Sequence, residues 1–211
     1  MTTRVIIADD HALVRRGFAE LLREMSDLEV VGEAASGDEL LALVRERPAD
    51  VVVMDMNMPG PSGLDLVKSL KAERPGLPLL VLSAHPEDQY AVRVVRAGAM
   101  GYLTKASAEA DLVDAVRRVA EGKRFLTRTL AEALLDALDA NAEEVPHAAL
   151  SDREYQVLRL LASGNTVGGI AEQLSLSVKT ISTYRARLLQ KMGMSNNAEL
   201  TRYALENDLV D

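Results

Sequence analysis

Cysteine and tryptophan are both absent from the 211 residues, and aromatic side chains make up only 3% of them. Without cysteine there is no disulfide framework, no thiolate metal ligand and no thiol nucleophile. No apolar run approaches the roughly 20 residues that a membrane-spanning helix needs, which excludes an integral helical membrane protein. The first strand-like run, Arg4 to Ala8, ends in two aspartates and does not read as a signal peptide. A cytoplasmic location is the default expectation. What is present suits a soluble folded chain: 48% hydrophobic and 27% charged, long enough for one large domain or two small ones.

Positive charge is scarce overall, since the net charge is −8, which at face value argues against a nucleic-acid partner. Its distribution argues otherwise. Residues 146–211 hold 7 basic and 7 acidic side chains, so the whole acidic excess lies in residues 1–145, with 17 against 25. Between Leu176 and Met192 stand four cations, Lys179, Arg185, Arg187 and Lys191, and no acid. Surface fields are screened over about 8–10 Å, so one basic helix on an acidic body can still meet a phosphate backbone.

Short apolar runs at Arg4–Ala8, Leu28–Ala34, Val51–Met54, Leu79–Leu82 and Gly101–Thr104 read as strands. The continuous Val51-Val52-Val53 suits a strand buried on both faces of a parallel sheet. Helical periodicity fills the intervals: Ala12–Met25, Ser36–Arg47 with a capping box from Ser36 to Glu39, Leu64–Glu73, Glu87–Ala97 and Ala108–Glu121. Five strands each followed by a helix predict an α/β doubly wound domain over residues 1–122, with its ligand at the carboxyl ends of the strands. Residues 123–147 read as a linker, partly helical at Thr127–Ala140 with Leu130, Leu134, Leu135 and Leu138 on one side. From 148 to 211 the pattern is all helical: Ser151–Ala162 behind a capping box to Glu154, a short helix Val167–Leu174, a turn at Ser175–Ser177, a longer helix to Met192, and Asn196–Glu206.

Strand one ends in Asp9 and Asp10 and strand three in Asp55, and these strands are neighbours at the switch point of such a sheet. Three carboxylates meeting there repel one another, and a hard divalent cation such as Mg²⁺ relieves the conflict. Ser83 at the end of strand four and Lys105 after strand five add a hydroxyl and an ammonium. Acids, metal, hydroxyl and lysine together suit a phosphoryl group carried on one acid. A lone aspartate at a strand end is usually a cap or turn residue; four strands ending in such groups is a different matter. His11 and His85 read as rim residues without a partner at ligand spacing.

Asp9-Asp10, Asp55 followed by Met58-Pro59-Gly60, Ser83-Ala84, and Gly98-Ala99-Met100-Gly101-Tyr102-Leu103-Thr104-Lys105 together resemble the CheY-like (βα)5 receiver domain of bacterial two-component response regulators. The resemblance implies that Asp55 accepts a phosphoryl group from a histidine kinase. It implies that Asp9, Asp10, Asp55 and the backbone carbonyl of Asn57 hold Mg²⁺, that Lys105 contacts the phosphoryl group, and that Ser83 and Tyr102 are the switch pair. Phosphorylation is then expected to draw in Ser83 and let Tyr102 turn inward. Ala106 departs from the family, where many receivers have proline.

On the basic helix, Lys179, Ser182, Thr183, Ala186, Arg187 and Gln190 recur on one face, while Ile181, Tyr184 and Leu188 fall on the other and are expected to pack inward. A solvated polar face is the usual explanation of such cations. The missing acids and the preceding helix and turn favour a helix that enters the major groove instead. Leu150-Ser151-Asp152-Arg153-Glu154, Ile170-Ala171-Glu172-Gln173-Leu174, Ser177-Val178-Lys179-Thr180-Ile181 and Lys191-Met192 resemble the DNA-binding domain of LuxR-type regulators, and its union with a receiver resembles the NarL/FixJ subfamily. The implied contacts to double-stranded promoter DNA are Lys179, Thr180, Ser182, Thr183, Arg185, Ala186, Arg187 and Lys191. A homodimer on phosphorylation is implied too, with Asn196–Glu206 either a dimer contact or a helix that closes the small core. Gly168-Gly169 departs from the family, and two glycines inside a helix weaken it by about 1 kcal/mol each. Two rival readings are a phosphatase of the haloacid dehalogenase type, which needs a second carboxylate where Asn57 stands, and an interaction regulator that binds no DNA.

Overall fold

The computed structural model describes residues 2–61, 63–83, 89–139, 146–174, 176–207 and 209–210. Five strands, β1 Thr3–Ala8, β2 Leu28–Ala34, β3 Val51–Asp55, β4 Leu79–Ser83 and β5 Gly101–Thr104, form one parallel sheet in the order β2-β1-β3-β4-β5. Side chains alternate across it, as a pleated strand requires. Ile6, Val52, Met54, Leu79, Val81 and Tyr102 enter one core with helices α2 Gly37–Glu46, α3 Gly63–Glu73 and α4 Gln89–Arg96. Val5, Ile7, Val51, Val53, Leu80, Leu82 and Leu103 enter the other, with α1 Ala12–Arg23 and α5 Lys105–Ala120. Cover on both faces explains why the inner strands β3 and β4 are continuous hydrophobic runs.

One helix start differs from expectation, and the cause is a local cap. Helix α5 begins three residues before the expected Ala108, because the Thr104 side chain accepts a hydrogen bond from Ser107 N at 3.2 Å and caps the helix at Lys105. Lys105 is therefore held in a first helical turn beside the strand ends. The expected start of α4 at Glu87 lies outside the described residues, as do Ala84 and His85.

Two compact units divide the chain, residues 1–139 and 140–211. The first extends past the expected boundary at 122. Phe125 pairs with the free edge of β5: its N–H donates to Met100 O at 2.9 Å, and Tyr102 N–H donates to Phe125 O at 3.3 Å. Helix α6, Arg128–Asp139, then packs against α4, with Leu130 buried and Leu134 half-buried in the core that holds Tyr102. Leu135 departs from the expected apolar side and is exposed, and the side chain of Leu138 lies outside the described residues. Covering an edge strand satisfies backbone groups that are otherwise open. The approach needs Gly101, since a Cβ there would meet Leu80 Cδ1 at 2.6 Å and Phe125 O at 3.2 Å. Gly101→Ala is expected to destabilise this unit by about 1–3 kcal/mol, the usual cost of overpacking, read as a lower thermal midpoint.

In the second unit a short 3-10 helix, Pro146–Ala149, precedes α7 Asp152–Ala162, α8 Val167–Gln173, α9 Val178–Met192 and α10 Asn197–Glu206. Its core gathers Tyr155, Leu158, Ile170, Ile181, Leu188 and Leu200. His147 is buried, with Nδ1 2.7 Å from the Tyr203 hydroxyl, and ties the 3-10 helix to α10. Gly168 and Gly169 prove to lie in the first turn of α8, not in its interior. Thr166 caps that turn by accepting from Gly169 N at 3.1 Å, and the helix forms. The capping box on α7 is complete in both directions, and its Glu154 also pairs with Lys191 Nζ at 2.6 Å.

Burial opposes the charge on Glu154, yet the bonds from Lys191 and Ser151 outweigh it and hold the carboxyl below its ordinary range. A carboxyl depressed in the folded state contributes stability above its unfolded value and loses it as pH falls through the folded one. The second unit of wild-type protein is therefore expected to lose stability on acidification below the ordinary glutamate range, and Glu154→Gln to flatten that dependence. Thermal melts across an acid series check both.

Candidate functional site

The register that pairs Ala8 with Met54 makes Asp9 and Asp55 neighbours just beyond the β1–β3 pair. Asp9, Asp10, His11 and Asp55 each offer a ligand atom, and these atoms all lie within 4.8 Å of one another. Asp9 and Asp55 are buried; Asp10 and His11 are exposed. Lys105, placed by the Thr104 cap, brings Nζ to 2.7 Å from Asp9 Oδ2 and 3.1 Å from Asp55 Oδ2. Ser83 is buried at the end of β4, opposite Thr104 in register. Asn57 lies on the loop two residues past Asp55.

Burial is the largest influence on Asp55, and with the charges of Asp9 and Asp10 it raises the carboxyl above its usual range, against the pull of Lys105. Burial also works against the Lys105 ammonium, but the attraction of Asp9 and Asp55 outweighs it and holds the amine above its ordinary range. One lysine leaves three carboxylates unbalanced. Asp9 Oδ2 is moreover a buried oxygen whose close cation is Lys105 Nζ, at 2.7 Å. The three carboxylates of this acid-rich cluster fit a hard divalent cation. His11 sits at the rim as expected, but it does have a partner: Nδ1 is 2.7 Å from Asp10 Oδ1. Adjacent residues carry no spacing signal for such a contact.

Tyr102 is already 0% exposed, packed among the α4 and α6 side chains of its core.

On α9 the expected face is present but divided. Ser177, Lys179, Thr180, Thr183, Tyr184 and Arg187 line one groove. Tyr184, expected to pack inward, is half-buried and lines the groove, while Ile181, Leu188 and Met192 form the buried stripe. Arg185 Nε donates to Asn197 Oδ1 at 2.7 Å, and Lys191 is held by Glu154. These two candidate contacts are thus engaged within the unit. Among the described residues no acid pairs with Lys179 or Arg187.

A family model of the response regulator receiver domain matches residues 5–117, and one of the bacterial regulatory proteins of the luxR family matches residues 148–204. The chain is a response regulator. Response regulator UvrY of Escherichia coli is 36% identical over 208 residues, covering 98% of this chain and 95% of that one. Response regulator GacA of Pseudomonas aeruginosa is 36% identical over 209 residues, covering 99% and 98%. RcsB from Salmonella enterica serovar Typhimurium, solved bound to promoter P1flhDC with the phosphomimetic BeF3⁻, has a TM-score of 0.61 at 32% identity over 96% of this chain and 98% of that one. In this response regulator the acidic cluster falls within the receiver match and α9 within the luxR match. No helix among the described residues is long and apolar enough to cross a membrane.

Proposed function

We propose that this response regulator is a transcription factor switched by phosphoryl transfer from a histidine kinase to Asp55. The observation that carries the reading is the Asp55 carboxylate held 3.1 Å from Lys105 Nζ inside a cluster of acids that one lysine does not neutralise. An Asp55 oxygen attacks phosphorus, the bond from phosphorus to the donor breaks, and the phosphoryl group passes to the carboxylate. Lys105 pairs with the phosphoryl oxygens, and the Ser83 hydroxyl donates to one of them. Asp9, Asp10, Asp55 and the Asn57 carbonyl would hold Mg²⁺, which supplies positive charge against those oxygens. The only turnover in this reading is that of the protein's own Asp55.

Residues 1–122 carry the phosphoacceptor, residues 148–211 dock on double-stranded promoter DNA, and 123–147 run between them, with Phe125 and α6 packed onto the first unit. Phosphorylation draws in Ser83 and lets Tyr102 turn inward, and the packing around Tyr102 carries the change outward, to α4 and to α6 beside it. The phosphorylated chain acts as a homodimer in the cytoplasm and places two copies of α9 on two half-sites. Incubation with Mg²⁺ and acetyl phosphate, followed by intact-mass measurement, sizing and gel shift on genomic fragments, tests the reading. One added phosphoryl group with increased size and retarded DNA is expected; an unmodified protein overturns it.

A further inference from the structure

Two hydroxyls on the exposed face of α9 are already oriented. Ser182 Oγ donates to Val178 O at 2.8 Å, and Thr183 Oγ1 donates to Lys179 O at 3.0 Å. A hydroxyl has one proton, so each of these presents only lone pairs outward. The same face carries apolar groups. Val178, the first residue of α9, is a large hydrophobic side chain left 55% exposed, and Ala186 lies two turns further on. Val178, Ser182 and Ala186 follow one another at four-residue spacing, so the stripe reads methyl, acceptor, methyl. Lys179 and Arg187 flank it.

A single exposed valine is common on protein surfaces and decides nothing alone. The combination is selective for a base edge. In the major groove guanine offers only acceptors, which a row of acceptors cannot satisfy. Adenine offers an amino donor, and its partner thymine offers the C5 methyl. Cytosine also has an amino donor but no methyl, and so matches half of the stripe. We propose that α9 reads A·T base pairs, with Val178 packed on a thymine methyl and Ser182 and Thr183 accepting from adenine amino groups, while Lys179 and Arg187 hold the phosphate backbone. This rests on the DNA-binding reading above and adds the identity of the bases.

The test uses the full chain treated with acetyl phosphate. Selection from random duplexes yields the best site, and each of its thymines is then replaced by deoxyuridine, which removes only the methyl. At one thymine per half-site wild-type affinity is expected to fall about fourfold, the worth of one buried methyl-sized group. Val178→Ala is expected to bind the two duplexes equally. Its fold is preserved, since the side chain it shortens is exposed. Tight binding with no deoxyuridine penalty at any thymine, or a full penalty retained in Val178→Ala, overturns the base assignment and leaves DNA binding intact. No binding to any duplex at low salt removes both readings.

Discussion

Asp55→Asn is expected to take up no label from acetyl phosphate above background, while folding as well as the wild type. The amide keeps the shape of the carboxyl but has no carboxylate oxygen to form the acyl phosphate bond. Because Asp55 is only 2% exposed, a mass-labelling experiment reads one buried atom pair and not a surface acid. Its stability is expected at or above that of the wild type at neutral pH. A carboxyl raised in the folded state stabilises the fold fully below its unfolded value, and loses that contribution as pH rises through the folded one. The amide never ionises, so it escapes the loss. Lys105→Ala offers the contrast. Asp55 remains, but labelling should slow by about 100-fold or more, the usual cost of removing one preorganised charge from a developing anion. Label that survives in Asp55→Asn would place the acceptor on another residue.

The second large effect concerns four cations that composition alone treats alike. Lys179→Ala and Arg187→Ala are each expected to weaken DNA binding and to reduce the slope of log affinity against log salt by about 0.9, one phosphate contact apiece. Arg185→Ala and Lys191→Ala are expected to act mainly on folding, because the first gives up the bond to Asn197 and the second leaves buried Glu154 without its cation, held only by Ser151. For Lys191, which is 42% exposed, solvent screening limits the loss to about 1 kcal/mol. Fluorescence anisotropy across a salt series and thermal melts separate the two pairs. Unchanged affinity in both Lys179→Ala and Arg187→Ala would show that another face meets the phosphates.

Much of this protein is local in origin and was legible along the chain. The strands β3 and β4 stand where the apolar runs Val51–Met54 and Leu79–Leu82 stand, because a strand buried on both faces admits few polar interruptions. Ser36 and Ser151 cap their helices as serines followed by glutamate three residues later should, since the bonded groups lie within one turn. Even the meeting of Asp9 with Asp55 was accessible, because parallel strands in this order bring their carboxyl ends to one edge.

Pairing across distance was not. Glu154 stands 37 residues from Lys191, so the stretch that looks free of acid between Leu176 and Met192 has its acid on another helix. Residues 123–139 look like a connector until Phe125 is seen to add to the edge of β5 and Leu130 to enter the core around Tyr102. Amino-acid order alone determined the elements, their caps and the set of chemical groups at the strand ends, because those depend on neighbours within a few residues. Tertiary structure alone decided which cations have partners on another helix and where the first unit stops, because each depends on what packs beside it.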